Sequence, residues 1–316
     1  MSVRIGIVMD SIASINIKKD TTFALLLAAQ QRGWQLHYFE QRDLYMQADQ
    51  AYGRARLLSV QDDKSNWFSF QKELELPLGT LDAILMRKDP PFDMEYIYTT
   101  YLLERAETTG TLVVNRPQSL RNANEKLFAL SFPQCCPPTL VSREAARFRD
   151  FLKQQDDIIA KPLDGMGGAS IFRLRRDDPN TNVILETLTN HNQRLSLAQR
   201  FIPEIILTGD KRILLIDGEP IPYAFARHPA SGETRANLAA GGRGEGVPLS
   251  ERDRWICAQV APKLREMGLL FVGLDVIGDY LTEINVTSPT CARELNAQFG
   301  LDIGAQLMES IAARIV

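Results

Sequence analysis

The first 120 residues alternate between short apolar runs and longer helical runs, and this alternation restricts the fold more than any other feature. Strand-like runs cover residues 4–9 and 34–40, and a helical run over residues 21–32 lies between them. Further signals are a strand at 81–86, a helix at 96–108 and a strand at 111–115. Strands that alternate with helices predict a parallel sheet covered on both faces. We therefore expect an α/β fold that opens with a parallel-sheet domain, with loops over the pattern-poor residues 52–78.

Composition narrows the class of protein. The chain has 316 residues, 45% hydrophobic residues and a net charge of −3 at pH 7, which are values typical of a globular enzyme of two or three domains. The acidic balance and scattered basic residues argue against a general nucleic-acid binder. No apolar run approaches the length of a membrane span, and the first strand does not resemble a signal peptide. The cysteines lack metal-ligand spacing, so we expect a reduced cytoplasmic protein with free Cys135, Cys136, Cys257 and Cys291.

The pattern changes near residue 121. A helix over residues 121–130 that carries Lys126 leads into a Pro-rich stretch at 133–138. A compact unit follows, with a helix, a strand, a glycine loop and two further strands at 143–155, 157–161, 162–168, 169–174 and 195–202. The remainder has a hairpin turned at Asp217-Gly218 and helices at 250–267 and 302–315. We expect three domains, at residues 1–121, 122–202 and 203–316.

An acidic hairpin over residues 275–285 carries the strongest chemical signal. Glu283 and Asn285 must share a face, because strand side chains alternate. An odd loop over residues 278–280 places Asp275 opposite Glu283, whereas a two-residue turn would move Asp275 to the other face. Two carboxylates and an amide are hard oxygen ligands of the kind that Mg²⁺ prefers. The alternative interpretation is an ordinary solvated acidic face.

A lysine stands at the end of a strand before a glycine-rich turn. Lys161 precedes Gly165, Gly167 and Gly168, and glycines let backbone N–H groups approach an anion closely. The segment matches neither a Walker A loop nor G-x-G-x-x-G. A structural hairpin is the alternative, but the nearby lysine and the separate metal face favour a phosphate site.

Residues 227–244 form a long glycine-containing run that includes Arg235 and Arg243. Loops of this length are uncommon unless they are functional or disordered. The run is therefore either a mobile solvated loop or an active-site lid whose arginines meet phosphate on closure.

The segment at residues 287–293 offers hydroxyls, one guanidinium and a possible helix N-terminus, which suit a carboxylate or phosphate. A helix cap beside a surface arginine is the alternative. The histidines His37, His191 and His228 form no base–nucleophile pattern, and His37 is interpreted as structural. The chemistry is therefore expected to rest on metal, cations and positioning, as in phosphoryl transfer.

Together these residues resemble the ATP-grasp ligases, and within them the prokaryotic glutathione synthetase family. The resemblance covers essentially the whole chain and rests on residues 6–10, 16–20, 86–93, 161–168, 232–235, 237–244 and 282–290. It implies an ATP-grasp fold with an N-terminal parallel-sheet domain, a small central lid domain and a C-terminal α+β domain. It also implies ATP-dependent joining of γ-glutamylcysteine to glycine through an acyl phosphate, with Mg²⁺ or Mn²⁺ as the metal, in a cytoplasmic homotetramer.

The resemblance also implies roles for individual residues. Lys126 and Lys161 grip the nucleotide phosphates, and the turn Gly165, Met166, Gly167 and Gly168 arches over them. The adenine lies against the backbone of Gln199, Arg200, Phe201 and Ile202, with Asp210 close to the nucleotide. Asp275, Glu283 and Asn285 hold the metal. Arg212, Arg235 and Arg243 act in catalysis, and Arg87, Ser288 and Arg293 contact the substrates.

Two features depart from the implied pattern. Residues 132–138 match no functional pattern, and Arg200 places a long cation beside the adenine, which matters little if only its backbone meets the base. A related peptide ligase with another acyl acceptor would share the nucleotide residues and differ at residues 87–93 and 287–293. A non-catalytic nucleotide-binding module would need neither the arginine-bearing lid nor Arg212.

Overall fold

The computed structural model describes residues 2–165, 167–230, 233, 236 and 241–315. Three sheets follow one another along the chain. No helix within these ranges is both long enough and apolar enough to cross a membrane. Each of the four cysteines is a free thiol, as expected.

The N-terminal sheet has seven strands in the order β3-β4-β2-β1-β6-β7, with β5 paired to β4. Its strands are β1 Arg4–Val8, β2 Gln35–Phe39, β3 Leu44–Gln47, β4 Gln50–Val60, β5 Phe68–Pro77, β6 Ala83–Met86 and β7 Leu112–Val114. The run β2-β1-β6-β7 is parallel, which confirms the prediction for these strands.

The expectation of loops at residues 52–78 is wrong. Two long antiparallel strands, β4 and β5, occupy this stretch and extend the sheet beyond β2. Burial alternates along much of β4, where Ala51, Ala55 and Val60 face the core. Small residues at inward positions weakened the apolar signal, although the strand period was present.

Helices cover both faces of this sheet, as predicted. Helix α1, Thr21–Gln31, begins at the N-cap Asp20, whose side chain accepts from Phe23 N, and it packs in one core with the C-terminal helix. Helix α2, Met94–Glu107, covers the opposite face and is followed by the short helix α3, Pro117–Asn122.

The predicted helix over residues 121–130 is wrong. Helix α3 ends at Asn122, and Lys126 lies in a turn before a 3₁₀ helix at Phe128–Ser131. The side chain of Asn124 accepts hydrogen bonds from Lys126 N at 3.1 Å and Leu127 N at 3.0 Å. Asparagine that bonds the following backbone in this way competes with helix formation.

The central sheet is antiparallel, in the order β10-β9-β11-β8. Its strands are β8 Thr139–Ser142, β9 Asp157–Pro162, β10 Phe172–Arg175 and β11 Ser196–Arg200. Helices α4, Ala145–Gln155, and α5, Thr181–Thr189, pack on it around a separate core. Strand β8 and helix α5 were not predicted, because both are short.

The C-terminal sheet is antiparallel throughout, in the order β14-β13-β12-β15-β16. Its strands are β12 Asp210–Ile216, β13 Glu219–His228, β14 Arg243–Pro248, β15 Phe271–Ile277 and β16 Tyr280–Asn285. The helices of this part are α6 Ile205–Thr208, α7 Glu251–Glu266, α8 Ala292–Phe299 and α9 Ile303–Ala312. Helix α7 packs on one face, while α8 and α9 share a core with α1 on the other.

The aperiodic run predicted at residues 227–244 is shorter than expected. Strand β13 continues to His228 and β14 begins at Arg243, so Arg227 and Arg243 are both strand residues. Most of the segment between the two strands, including Arg235, lies outside the described residues.

A buried asparagine joins the first and last sheets. The Asn115 side chain donates to the carbonyls of Phe271 and Val286, at 2.8 and 2.7 Å, and accepts from Phe271 N at 2.9 Å. These bonds fix the end of the parallel sheet against β15 and the chain leaving β16.

Candidate active site

The two strands of the acidic hairpin have the register that the metal hypothesis requires. Asp275 pairs with Glu283 and Gly273 pairs with Asn285, so the carboxylates and the amide share one face. The opposite face is buried, as predicted, in one core that contains Leu274, Val276, Ile284 and Val286.

The register arises in a way that the sequence reasoning did not foresee. The turn has two residues, since Ile277 pairs with Tyr280, so the predicted odd loop is wrong. The odd residue is instead Thr282, which forms a β-bulge between Asp275 and Val276 on the partner strand. Its hydroxyl donates to Asp275 O at 3.1 Å. A bulge in the strand restores the parity that an odd loop would have given.

Two buried arginines and two buried aspartates form ion pairs across the middle of the C-terminal sheet. Arg212 on β12 donates two hydrogen bonds to Asp275, at 2.5 and 3.0 Å. Nη2 of Arg227 lies 2.6 Å from Asp210 Oδ2 and 3.1 Å from Asp275 Oδ2. Burial would raise the pKa of Asp275, but the two arginines hold it well below its ordinary value. Asp275 is therefore an anion over the working pH range.

A glycine makes room for this arrangement. A Cβ atom added to Gly273 would lie 2.9 Å from Arg212 Cδ and 2.9 Å from Pro289 Cβ. A larger residue would force the Arg212 side chain or Pro289 to shift.

Two lysines converge on Glu283. Lys161 Nζ lies 3.0 Å from Glu283 Oε1, and Lys126 Nζ lies 3.7 Å from the same atom. Lys126 also donates to Gly165 O at 2.9 Å and to the Glu125 carboxylate. Burial would raise the pKa of Glu283, but Lys161 and Lys126 lower it. Burial would lower the pKa of Lys126, yet Glu283 and Glu125 raise it, so Lys126 and Glu283 each favour the charged form.

The chemistry of the three polar groups on the hairpin fits a divalent cation. Asp275, Glu283 and Asn285 line one cavity of about 1040 Å³. No three His, Cys, Asp or Glu side chains within the described ranges are arranged as a metal site, so a cation here would need the Asn285 amide oxygen in addition to the two carboxylates. Oxygen donors of this kind suit Mg²⁺ better than softer metals.

The same cavity contains the glycine turn and the cations. Gly167 and Gly168 have positive φ angles of 64° and 84°, which glycine adopts at low cost. Met166 lies outside the described residues. Other residues that line the cavity are Lys126, Gly165, Arg212, Arg227, Ser288 and Thr290.

A second cavity of about 690 Å³ adjoins the first, and Ile171, Asp275 and Glu283 line both. The predicted adenine segment Gln199, Arg200, Phe201 and Ile202 lines it, together with Lys161 and Asp210. Apolar groups complete the wall, including Ile159, Ile205, Ala236 and Ile277. Apolar walls beside charged groups, in a cavity that adjoins the first one, suit a ligand with a flat base and an anionic tail.

Arg200 does not fill this cavity with its long side chain. Its guanidinium turns towards the acidic hairpin, where Nη2 donates to Tyr280 Oη at 2.8 Å. Its backbone N–H donates to Pro138 O at 3.0 Å. The departure noted in the sequence therefore leaves room for a base.

Asp210 presents an unused acceptor to the second cavity. Its Oδ1 is buried and has no hydrogen-bond partner among the described residues. Burial raises its pKa to about 6 even though Arg227 opposes the shift. A ligand hydroxyl would satisfy this oxygen.

Of the three predicted substrate residues, Ser288 lines the first cavity, while Arg87 and Arg293 bind other parts of the protein. Arg87 is buried and donates to Thr22 Oγ1 at 3.1 Å and to Pro289 O at 3.0 Å, so it holds the segment that carries Ser288. Arg293 is turned away and bonds both carboxylate oxygens of Asp62, at 3.0 and 2.9 Å.

The predicted catalytic arginines also separate. Arg212 lies in the first cavity, whereas Arg243 is exposed at the start of β14, paired with His228. Arg235 lies outside the described residues.

Sequence reasoning missed Arg227 and Glu125, which both line the first cavity. A signal for Arg227 was present, because the turn at Asp217-Gly218 fixes which side chains of β13 face those of β12. The irregularity in this hairpin shifts the pairing by two residues, so Asp210 still shares a face with Arg227. Glu125 carried no comparable signal.

Comparisons with known proteins match almost the whole chain. The family model described as prokaryotic glutathione synthetase, N-terminal domain, matches residues 3–121, and the one described as prokaryotic glutathione synthetase, ATP-grasp domain, matches residues 125–300. The glutathione synthetase of Pseudomonas aeruginosa is 65% identical over 100% of this chain and 99% of its own length. That of Photorhabdus laumondii is 62% identical over 99% of each chain.

Solved structures share the fold at low identity. The D-cycloserine synthetase DcsG superposes with a TM-score of 0.70 at 17% identity, covering 99% of this chain and 100% of its own. The ATP-grasp ligase PsnB, solved with a minimal precursor, Mg and ADP, gives a TM-score of 0.64 at 16% identity, covering 99% and 98%. These likenesses establish the ATP-grasp fold.

Proposed function

This chain belongs to the prokaryotic glutathione synthetase family and is an ATP-dependent ligase, and we propose that its two adjoining cavities join γ-glutamylcysteine to glycine through an acyl phosphate. The main support for placing the ligase active site here is the arrangement of three polar side chains. Asp275, Glu283 and Asn285 share a face where the two cavities meet, between two lysines and two arginines.

The lysines and the arginines of the site would contact different parts of the nucleotide and the transferred phosphoryl group. Lys161 and Lys126, which now hold Glu283, are placed to exchange that carboxylate for nucleotide phosphates while the glycine turn covers them. Arg212 and Arg227 lie on the far side of Asp275, where they would steady negative charge on the transferred phosphoryl group. Positioning and charge neutralisation are the main contributions that phosphoryl transfer requires of a protein.

Asp275, Glu283 and Asn285 are the residues that would hold Mg²⁺ or Mn²⁺. When bound, such an ion neutralises the phosphate charge that develops during transfer. Replacing Glu283 or Asn285 by Ala is expected to weaken metal–nucleotide binding with the fold intact, and an unchanged Mg²⁺ dependence would contradict this role.

The base end of the nucleotide is assigned to the second cavity. The backbone of residues 199–202 would meet the adenine, and the free Oδ1 of Asp210 would accept from a ribose hydroxyl. The peptide carboxylate would approach from Ser288, on the segment that Arg87 holds. Direct substrate contact by Arg87 and Arg293, catalysis by Arg235 and Arg243, the three domain boundaries, the tetramer and a cytoplasmic location stay predictions.

The decisive experiment measures ADP release with γ-glutamylcysteine and glycine together, and with each alone. We expect ADP and peptide in equal amounts only when both substrates and Mg²⁺ are present. Release with another amine, but none with glycine, would overturn the assignment of the acceptor.

A further inference from the structure

An unusual contact links the base end of the nucleotide cavity to the acidic hairpin. Arg200 is the last residue of β11, and its guanidinium donates to Tyr280 Oη at 2.8 Å and lies 5.2 Å from the Tyr280 ring centroid. The backbone of Arg200 is fixed by its bond to Pro138 O. The side chain of Arg200, and not its backbone, therefore reaches from the central sheet to the C-terminal sheet.

Tyr280 stands where it affects the metal-site strand. It is the first residue of β16, two positions before the Thr282 bulge and three before Glu283. The register of that bulge decides whether Glu283 and Asn285 face the cavity. A contact that holds Tyr280 therefore fixes the start of β16, the strand that carries Glu283 and Asn285 on its cavity face.

The turn before Tyr280 is held on two sides. Arg252 Nε on α7 donates to Asp279 O at 3.0 Å. On the other side Gly278 packs so closely on Glu204 that an added Cβ atom would lie 3.2 Å from Glu204 Cβ. Glu204 lies two residues after the adenine segment, so the hairpin contacts that segment at Arg200 and the chain just beyond it at Glu204.

We propose that Arg200 and Tyr280 act as a positioning pair that couples base binding at residues 199–202 to the placement of Glu283 and Asn285. The inference rests on the proposed function. With the pair intact, one rigid arrangement presents the base site and the metal-binding face together, so a nucleotide with its metal engages both without reordering the hairpin. Arginine suits this contact better than lysine, because a planar guanidinium both donates and stacks.

The test is a double-mutant cycle on nucleotide affinity. Calorimetric titration with a non-hydrolysable ATP analogue compares the wild type, Tyr280→Phe, Arg200→Met and the double variant, with Mg²⁺ and again in EDTA. Each single change is expected to weaken Mg²⁺-dependent binding about fivefold, as loss of one hydrogen bond predicts. The double variant should bind the nucleotide with an affinity no lower than that of the single variant with the lower affinity. In EDTA, each loss of affinity should be below about twofold.

Two control variants keep the result interpretable. Tyr223→Phe removes a hydroxyl elsewhere on the same sheet, from a ring stacked on Phe299, and should change neither affinity. Arg200→Lys keeps the charge and replaces Arg200→Met if that variant fails to fold, and the same loss is expected. Independent losses in the double variant, or equal losses with and without Mg²⁺, would overturn the coupling. A wild type that binds no Mg²⁺–nucleotide at all would instead refute the proposed function.

Discussion

His37 lies on β2 with 3% of its surface exposed, and burial together with the charge of Arg4 lowers its pKa from 6.5 to about 4. The folded chain therefore keeps His37 neutral where the unfolded chain protonates it. The contribution of neutral His37 to the free energy of unfolding is therefore full above pH 6.5. It is lost as the pH drops towards 4, by at most about 3 kcal/mol. Urea unfolding across this range should show the loss in the wild type and a flatter profile in His37→Gln. Equal slopes, or a ring that titrates near pH 6.5 by NMR, would contradict the prediction.

Gly273 makes a second prediction at the residue scale. Its replacement by Ala places a Cβ atom 2.9 Å from Arg212 Cδ and 2.9 Å from Pro289 Cβ, so we expect the Arg212 side chain to shift from its position against Asp275. We expect ligation to fall at least tenfold, with a loss of about 1–3 kcal/mol in unfolding free energy from overpacking. Steady-state rates and denaturant midpoints measure the two effects. A fully active variant would show that the Arg212–Asp275 pair is dispensable.

At the scale of elements, the Thr282 bulge decides what the acidic hairpin can bind. If Thr282 paired regularly it would lie opposite Asp275, and Glu283 would turn to the other face; the bulge instead leaves Thr282 unpaired and places Glu283 opposite Asp275. Deleting Thr282 leaves the pairs Leu281–Val276 and Glu283–Asp275 next to each other, so Glu283 and Asn285 are expected to keep their face. Calorimetry should therefore show Mg²⁺-dependent nucleotide binding within a few-fold of the wild type in the deletion variant. Thr282→Ala keeps the residue count and loses only the hydroxyl bond to Asp275 O, so it should also bind within a few-fold of the wild type. Loss of binding in the deletion variant alone would show that the bulge does more than set the register.

The boundaries of other elements show where sequence patterns were insufficient. Helix α1 and strand β1 were predicted because each is an almost continuous apolar run that the fold buries. Around Lys126 the helical pattern failed, since the Asn124 side chain bonds the backbone that a helix would use. Such local competition depends on conformation, which composition does not reveal.

At the scale of the whole molecule, Asn115 joins the parallel sheet to the C-terminal sheet through three buried hydrogen bonds. Asn115→Ala leaves two carbonyls and one N–H without partners, so we expect a loss of about 2–4 kcal/mol in unfolding free energy. Thermal unfolding should also become broader as the two sheets uncouple. The control Asn182→Ala removes a surface contact with Arg149 at 3.4 Å and should be neutral. A sharp, unshifted transition in Asn115→Ala would show that other contacts join the sheets.

The sequence by itself determined the alternation of strands and helices, the acidic hairpin, the lysine before the glycine turn and the family. These signals are local, since they depend on side-chain period and on residues a few positions apart. Only the tertiary structure decided that Asp275 reaches Glu283 through a bulge, that Arg227 joins Arg212 on one carboxylate, and that Arg293 turns away to Asp62. Those outcomes depend on strand register and on partners far apart in the chain. A buried charge is stable only beside a counter-charge, and the fold decides which counter-charge lies near.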